Sequence, residues 1–379
     1  MRFAFDENQE ALRASARSFL DTHSSSARVR EAMETDRGYD PETWRQIARD
    51  LGWTSVIIPE KYGGAGLGYV ELVGLMEEMG RALLCAPFFS TVCLAVNALL
   101  LGDDEAHQRA YLPRIAAGEI TATLAHSEPN GRWDAAGITA VARRDGAGFV
   151  LDGTKSFVLD GHAADVLLVA ARREGSQGEA GVSLFVVPAD AAGLERRRLP
   201  TMDQTRRQAE VQLRGVRVPV QSLMGEEGAG WPVLTATLDL AAVALAAEQV
   251  GGAQRCLDMA VAYAKERVQF GRPIGSFQAI KHKCADMLLR VESARSASYY
   301  AGWAAAAGDA ELPVLAALAK AYCSDAYFQC AAEALQIHGG VGFTWEYDVH
   351  LYFKRAKSSE TFLGDPAYHR ERVARGMGL

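Results

Sequence analysis

Apolar positions recur at helical spacing near the start of the chain, lose that period in the middle and regain it for the remainder. Up to about residue 118 the pattern predicts helices. Asp6 can cap one that carries Leu12, Phe19 and Leu20. Pro41 opens another, with Trp44, Ile47, Ala48 and Leu51 on one face, and Leu72, Val73, Met76 and Met79 mark a third near 69–83. From ITATLAHSEP at 120 to VRVPVQSL the segments are short, β-rich and punctuated by turns. RRDGAGFVLDG reads as a hairpin around Gly146 and Gly148, and DVLLVAARR and VSLFVVPAD as buried strands. Beyond Trp231 the helical period returns. The stretch from Leu240 to Ala247 is apolar all round and predicts a helix buried on every side. A stripe of Met287, Leu288, Val291, Ala294 and Tyr299 follows, then a long helix stopped by Gly339 and Gly340. The expected fold is α+β and multidomain: an N-terminal helical domain (1–119), a middle β domain (120–222) and a C-terminal antiparallel helical bundle (223–379).

Length and composition agree with this division. A chain of 379 residues exceeds one ordinary core, and its hydrophobic and charged fractions are those of a globular protein. A net charge of −7 without a basic tail argues against nucleic acid as the main partner. The cysteines at 85, 93, 256, 284, 323 and 330 form no CxxC pair and read as reduced thiols. The start, MRFAFDENQEALR, has neither signal nor transit character, and the apolar run PFFSTVCLAVNALLLG is broken by Asn97 and too short to span a bilayer. A cytoplasmic protein without a membrane span is the expectation.

Few stretches carry chemistry. YGGAGLG (62–68) lacks the GxGxxG spacing and any βαβ context, so a turn is preferred to a dinucleotide loop. No metal-ligand cluster or nucleophile motif stands out. KERVQFGRPIGSFQAIKH (265–282) sets Arg267, Phe270, Arg272, Phe277 and Gln278 between two apolar helices, which suits a phosphate and a planar ring but also a charged helix-linking turn. EALQIHGGVGF (333–343) ends a helix in bare backbone that a ligand could approach closely, or that simply stops the helix.

In this order after a β domain, these stretches resemble the acyl-CoA dehydrogenase family over the full length of the chain. The matching segments are PEKYGGAGL (59–67), SEP followed by Asp134, RVQFGRPIGSFQAIKHKCADM (267–287) and EALQIHGGVGFTWEY (333–347). The resemblance implies an α domain, a β-barrel and a four-helix bundle enclosing FAD in a dimer of dimers. It implies α,β-dehydrogenation of an acyl-CoA, with electrons passed to an electron-transfer flavoprotein or a similar acceptor. Ser127, Phe157 and Leu159 would face the flavin held by this chain. Arg267, Gln269, Phe270, Ile274, Gln336 and the backbone near Gly340 would reach a neighbour's FAD.

The family's base is a Glu opening an EGT-like triplet after GGxGF, and here the triplet is Leu363-Gly364-Asp365. Some members carry the base as Glu-Arg on the first bundle helix, where this chain has Ala241 and Ala242, with Asp239 on another side of the helix. Glu360 lies one turn before Leu363 and is the remaining candidate, with Asp365 beside it. Leu159 stands where a threonine hydroxyl usually meets the flavin. Arg132 and Trp133 replace Gly and Ser after SEP, Leu351 replaces a basic residue and Arg355 an acidic one. The half that would serve a neighbour is kept and the half that would run the reaction is eroded. That asymmetry resembles the catalytically degenerate partner subunit of heteromeric bacterial acyl-CoA dehydrogenases, such as those acting on sterol side chains. The alternatives are a homo-oligomeric dehydrogenase with a displaced base such as Glu360, or a flavin-dependent monooxygenase on the same fold.

Overall fold

The computed structural model describes residues 5–379; the first four residues of the leader-free N-terminal reading lie outside that range. The helices are α1 (Glu7–His23), α2 (Ser26–Glu34), α3 (Pro41–Arg45), α4 (Tyr69–Arg81), α5 (Asn97–Leu101), α6 (Glu105–Ala116), α7 (Gly230–Glu266), α8 (Gln278–Ala307), α9 (Leu312–His338), α10 (Val349–Thr361) and α11 (Pro366–Gly376). The strands are β1 (Ala122–Ala125), β2 (Val141–Asp145), β3 (Gly148–Leu159), β4 (Val166–Arg173), β5 (Val182–Pro188), β6 (Leu194–Arg198), β7 (Gln208–Pro219), β8 (Leu223–Met224), β9 (Val268–Gln269) and β10 (Arg272–Pro273).

Contacts gather these elements into two compact units that interleave along the chain: residues 1–31, 68–84 and 242–379 in one, residues 32–67 and 85–241 in the other. In the first, α9 packs against α8, α10 and α11, while α1 packs against α4, and α4 against α8. Asp6 caps α1 as its position suggests, and Gln9 returns a bond to the cap amide, which closes a capping box. The apolar stripe of α4 is buried, and so are Glu77 and Glu78 beside it. Arg13 and Arg17 of α1 reach these carboxylates, with Arg295 and the Tyr299 hydroxyl of α8 meeting Glu77. The run Ala241–Ala247 of α7 is sealed on all sides, as its sequence requires. By length and composition α7 could cross a membrane, but most of its apolar stretch is buried inside the protein. One stripe position departs from expectation. Met287, Val291 and Ala294 of α8 are buried, whereas Leu288 and Leu289 are exposed.

The second unit holds a mixed sheet in the order β6-β7-β3-β2-β4-β5-β8, with β1 parallel to β4. Its inner residues, among them Phe149, Leu151, Val169, Phe185, Val211 and Leu213, meet in one core. The sheet therefore encloses one core of its own side chains as an open barrel, with its end strands β6 and β8 not paired to each other among the described residues. The expected hairpin forms, with Asp145 paired to Gly148 and Gly146 at φ +58°. The glycine-rich 62–68 stretch is a turn: the amides of Gly64, Gly66 and Leu67 donate to carbonyls of Pro59, Ile58 and Val56. A Cβ on Gly64 would lie 1.8 Å from the Ile58 carbonyl oxygen, so this turn admits only glycine. All six cysteines are free, and all but Cys284 are buried.

Candidate functional site

In the β unit, two loops named by the sequence are tied together. The amide of Ser156 donates to the Ser127 carbonyl at 2.9 Å. Beneath them the Lys155 ammonium, wholly buried, donates to Glu128 Oε1 at 2.6 Å. Glu128 also accepts from the amides of Thr139 and Ala140 at 2.9 Å and from the Thr139 hydroxyl. Burial works against its charge, but Lys155 and these donors outweigh it and hold the carboxyl below the usual range. The SEP glutamate is thus a structural anchor. Burial and the nearby Lys155 push the His126 imidazole down to about 4, so it is neutral, with its Nε2 3.3 Å from Ser127 Oγ. Trp133 is half-buried with its ring tilted over His126, 6.2 Å between centroids. Arg132 is bound by Asp134 on the exposed side.

The register of β3 against β7 slips between Lys155 and Val158. That bulge turns Phe157 outwards, 58% exposed and at φ +56°. Leu159 ends inwards, buried, with its carbonyl accepting from Thr123 Oγ1 at 2.6 Å. Ser127 and Phe157 are therefore displayed together, while the Leu159 side chain is not.

In the helical unit, α7 runs into the β9–β10 hairpin. Gln269 pairs with Arg272, leaving Phe270 and Gly271 as a two-residue turn at φ +54° and +78°. Such turns favour Asn or Gly at both positions, so an aromatic here adopts a costly backbone to present its ring. Phe270 is 92% exposed, its ring edge-on to Phe277 at 6.1 Å, and Arg272 stacks on Phe277 at 4.1 Å. Arg267 and Gln269 are exposed, and the Ile274 amide closes the hairpin on the Arg267 carbonyl at 2.8 Å. Tyr263, one turn earlier, stacks on His338 at 4.3 Å, which joins the end of α7 to the end of α9. There Gln336 and Gly340 are exposed, and a Cβ at Gly340 would meet nothing within 4 Å. The structure thus brings the hairpin residues and the GGVG backbone to one place.

The segment after α10 is built differently. Leu363 is 4% exposed and sits at φ +62°. Its carbonyl accepts from His369 Nε2 at 2.9 Å, and burial pushes that imidazole well down, to about 3, so it stays neutral. Glu360 turns away into an ion pair with Lys357 at 2.6 Å, and Asp365 caps α11 by accepting from the Tyr368 amide at 2.8 Å. Ala241 and Ala242 are buried, and Asp239 is buried as well. Leu351 is buried, and the inverted charge at Arg355 is answered from within the chain: its guanidinium donates to Glu248 of α7 at 2.8 Å.

Six non-glycine residues in the described chain have positive φ, and Phe157, Phe270 and Leu363 are three of them. Bulky side chains seldom hold such a backbone, and residues that do so gather at functional positions. Sequence reasoning missed Lys320, wholly buried on α9 with its ammonium on carbonyls of the 360–364 segment. It also missed Glu248, the single acid in the apolar run LAAVALAAEQVGG of α7.

Comparison with known proteins addresses the chain as a whole. Residues 6–119 match the N-terminal domain, 123–216 the middle domain and 228–378 the C-terminal domain described for acyl-CoA dehydrogenase. Acyl-CoA dehydrogenase IpdE2 of Mycolicibacterium smegmatis is 34% identical over 369 residues, spanning 97% of this chain and 97% of that protein. The structure of butyryl-CoA dehydrogenase from Megasphaera elsdenii superposes with a TM-score of 0.92 at 29% identity, covering 100% of both chains. A chain of the ChsE4-ChsE5 complex from Mycobacterium tuberculosis does so with a TM-score of 0.90 at 28% identity, covering 100% of this chain and 99% of that one. With all three domains matched in order and full-length relatives on both measures, the chain belongs to the acyl-CoA dehydrogenase family, FAD-dependent oxidoreductases.

Proposed function

We propose that this chain is the base-less partner subunit of an acyl-CoA dehydrogenase, lending contacts to an FAD site that a second, related chain completes. Leu363 carries the reading. Where the family's resemblance calls for a carboxylate, the chain presents a buried alkyl group on a fixed backbone. Proton abstraction next to a thioester needs a base within reach, and the nearest carboxylates have other work: Glu360 pairs with Lys357 and Asp365 caps a helix.

The residues that would hold FAD fit that group. On the helical unit, exposed Arg267 offers a guanidinium fork to a pyrophosphate, Gln269 and Gln336 offer amide donors, and Phe270 offers an aromatic face to an adenine. Gly340 leaves room for backbone to approach a phosphate, with Ile274 at the base of the hairpin. On the β unit, Ser127 and outward-turned Phe157 would meet a flavin ring held by this chain. FAD, when bound, supplies the acceptor for the two electrons removed from the acyl-CoA. This chain's residues bind, orient and exclude water, and none takes the α-proton. Leu159 offers no hydroxyl to a flavin edge, which weakens this chain's own half further. The ChsE4-ChsE5 neighbour is named as a complex, which favours an assembly of related chains, and electrons would pass on to an electron-transfer flavoprotein or a similar acceptor.

The test is the visible spectrum of the purified chain alone and after mixing with its cognate chain, each before and after anaerobic addition of mixed acyl-CoA. The expected result is little flavin, or flavin that does not bleach, in the lone chain, and one that bleaches in the mixture. Stoichiometric flavin that bleaches in the lone chain would replace this reading with a self-sufficient dehydrogenase.

A further inference from the structure

The side chain of Lys320 enters the bundle core from α9 and is fully buried. Its ammonium has three acceptors: Ser324 Oγ at 2.9 Å, the Glu360 carbonyl at 3.1 Å and the Gly364 carbonyl at 3.0 Å. Among the described residues no carboxylate forms an ion pair with it. An ammonium has three protons, so this set satisfies it fully with neutral oxygens. The Glu360 carbonyl is one of the last of α10, where helix carbonyls lack partners and a cation is favoured. The Gly364 carbonyl lies past the bend, at a residue with φ +101°. One nitrogen thus grips the chain on either side of Leu363, and His369 holds the Leu363 carbonyl between them at 2.9 Å. Ser324 is itself braced by Gln249 of α7 at 3.0 Å, and Gln249 also donates to the Ser359 carbonyl at 3.1 Å. The grip is therefore anchored in three helices.

We propose that Lys320 is a positioning residue for position 363: its three-proton ammonium fixes the 360–364 backbone in place, and loss of one proton releases one carbonyl and loosens that segment. The left-handed backbone of Leu363 is unfavourable for a side chain with a Cβ, so a segment let go at one carbonyl relaxes there first. Burial pushes the Lys320 ammonium down to about 7, opposed by Cys323, Glu360, Asp365 and Asp325, so the change falls in an accessible range. The charged and titratable groups facing it are Cys323 and Asp325 on α9, Glu360 on α10, Asp365 before α11 and neutral His369 on α11. Burial raises the Cys323 thiol far above neutrality, which leaves Lys320 as the group that changes charge there.

The inference holds with or without flavin, so it is tested on the ligand-free full chain and stands or falls apart from the proposed function. Amide hydrogen exchange is followed at Phe362 to Asp365 from pH 6 to 8.5, corrected for intrinsic rates, with Phe149 to Leu151 as the reference. The expected result is a drop in protection of about fivefold in the 362–365 amides alone as pH passes neutrality, the equivalent of one hydrogen bond. In Lys320→Met those amides should be weakly protected at every pH, with the inflection gone. A flat profile in the unaltered chain, an inflection that survives Lys320→Met, or a uniform loss across both segments would overturn the proposal. Should Lys320→Met fail to fold, Ser324→Ala removes one acceptor and should move the inflection to lower pH; an unmoved inflection counts against it.

Discussion

Arg355 of α10 donates through Nη1 to Glu248 Oε1 of α7 at 2.8 Å, and both side chains are almost sealed from water. This arginine is thus matched by a carboxylate on the facing helix. A buried pair of this kind costs much to break and little to replace as a whole. Arg355→Met should destabilise the protein by about 3–5 kcal/mol in urea unfolding, because Glu248 is left charged and without its guanidinium. Adding Glu248→Met should restore most of that loss. A double variant as unstable as the single one would mean the pair is not the cause.

The β unit should be sensitive to acid through His126. Its folded imidazole is held down to about 4, against an ordinary 6.5 in the unfolded chain. Between those values the unfolded chain binds more protons, so stability falls as pH drops below about 6.5 and levels off near 4. The full difference corresponds to roughly 3 kcal/mol. His126→Asn should flatten that part of the profile measured by thermal unfolding between pH 4 and 7. His369, held down to about 3, contributes in the same direction and should remain in the variant.

Leu363→Glu would set a carboxyl where only 4% of the side chain meets water. Desolvation raises such a pKa, so the folded state binds the proton more tightly than the unfolded chain. The variant should therefore be less stable than the parent at pH 8, by about 2–4 kcal/mol, and should recover part of the deficit at pH 5. Equal deficits at both values would mean that the new side chain has escaped to solvent.

Arg267 and Phe270 are exposed, so their loss should cost this chain little stability of its own. In the mixed assembly, Arg267→Ala should weaken FAD affinity by about ten- to a hundredfold, the equivalent of about 1.5–3 kcal/mol for a charged hydrogen bond, and so deplete bound flavin. Flavin absorbance per assembly after gel filtration reads this directly. Undiminished flavin would remove the hairpin from the binding half.

Much of this could be read along the chain because it depends on local pattern. The Asp6 cap with Gln9, the burial of Ala241–Ala247 and the β2–β3 turn at Gly146 all follow from neighbouring residues. The stripe on α8 shows where that reasoning ends. Leu288 has the right spacing near Met287 and Val291, yet the helix packs through Met287, Val291, Ala294 and Ser298, and Leu288 is left outside. Lys320 was less legible still. In AKAYCSD a lysine reads as solvent-facing, and the oxygens that hold it come from main chain some forty residues on, in positions set by α10 and α11. Glu248 carried a signal, a single acid in LAAVALAAEQVGG, but its partner Arg355 is distant in sequence. The departures at 363, 241 and 242 were visible as letters; that Glu360 is committed to Lys357 was not.

The bend around Leu363 is held through the oxygens of Glu360, Leu363 and Gly364, none of which belongs to a side chain. Main-chain oxygen is common to every amino acid, so the mould of this bend does not record which residue fills it. The bend is thus set by main-chain oxygens and not by the side chain at position 363. On the proposed reading, a carboxylate and an alkyl group would therefore meet the same backbone mould at this position, and what would differ between them is chemistry rather than shape.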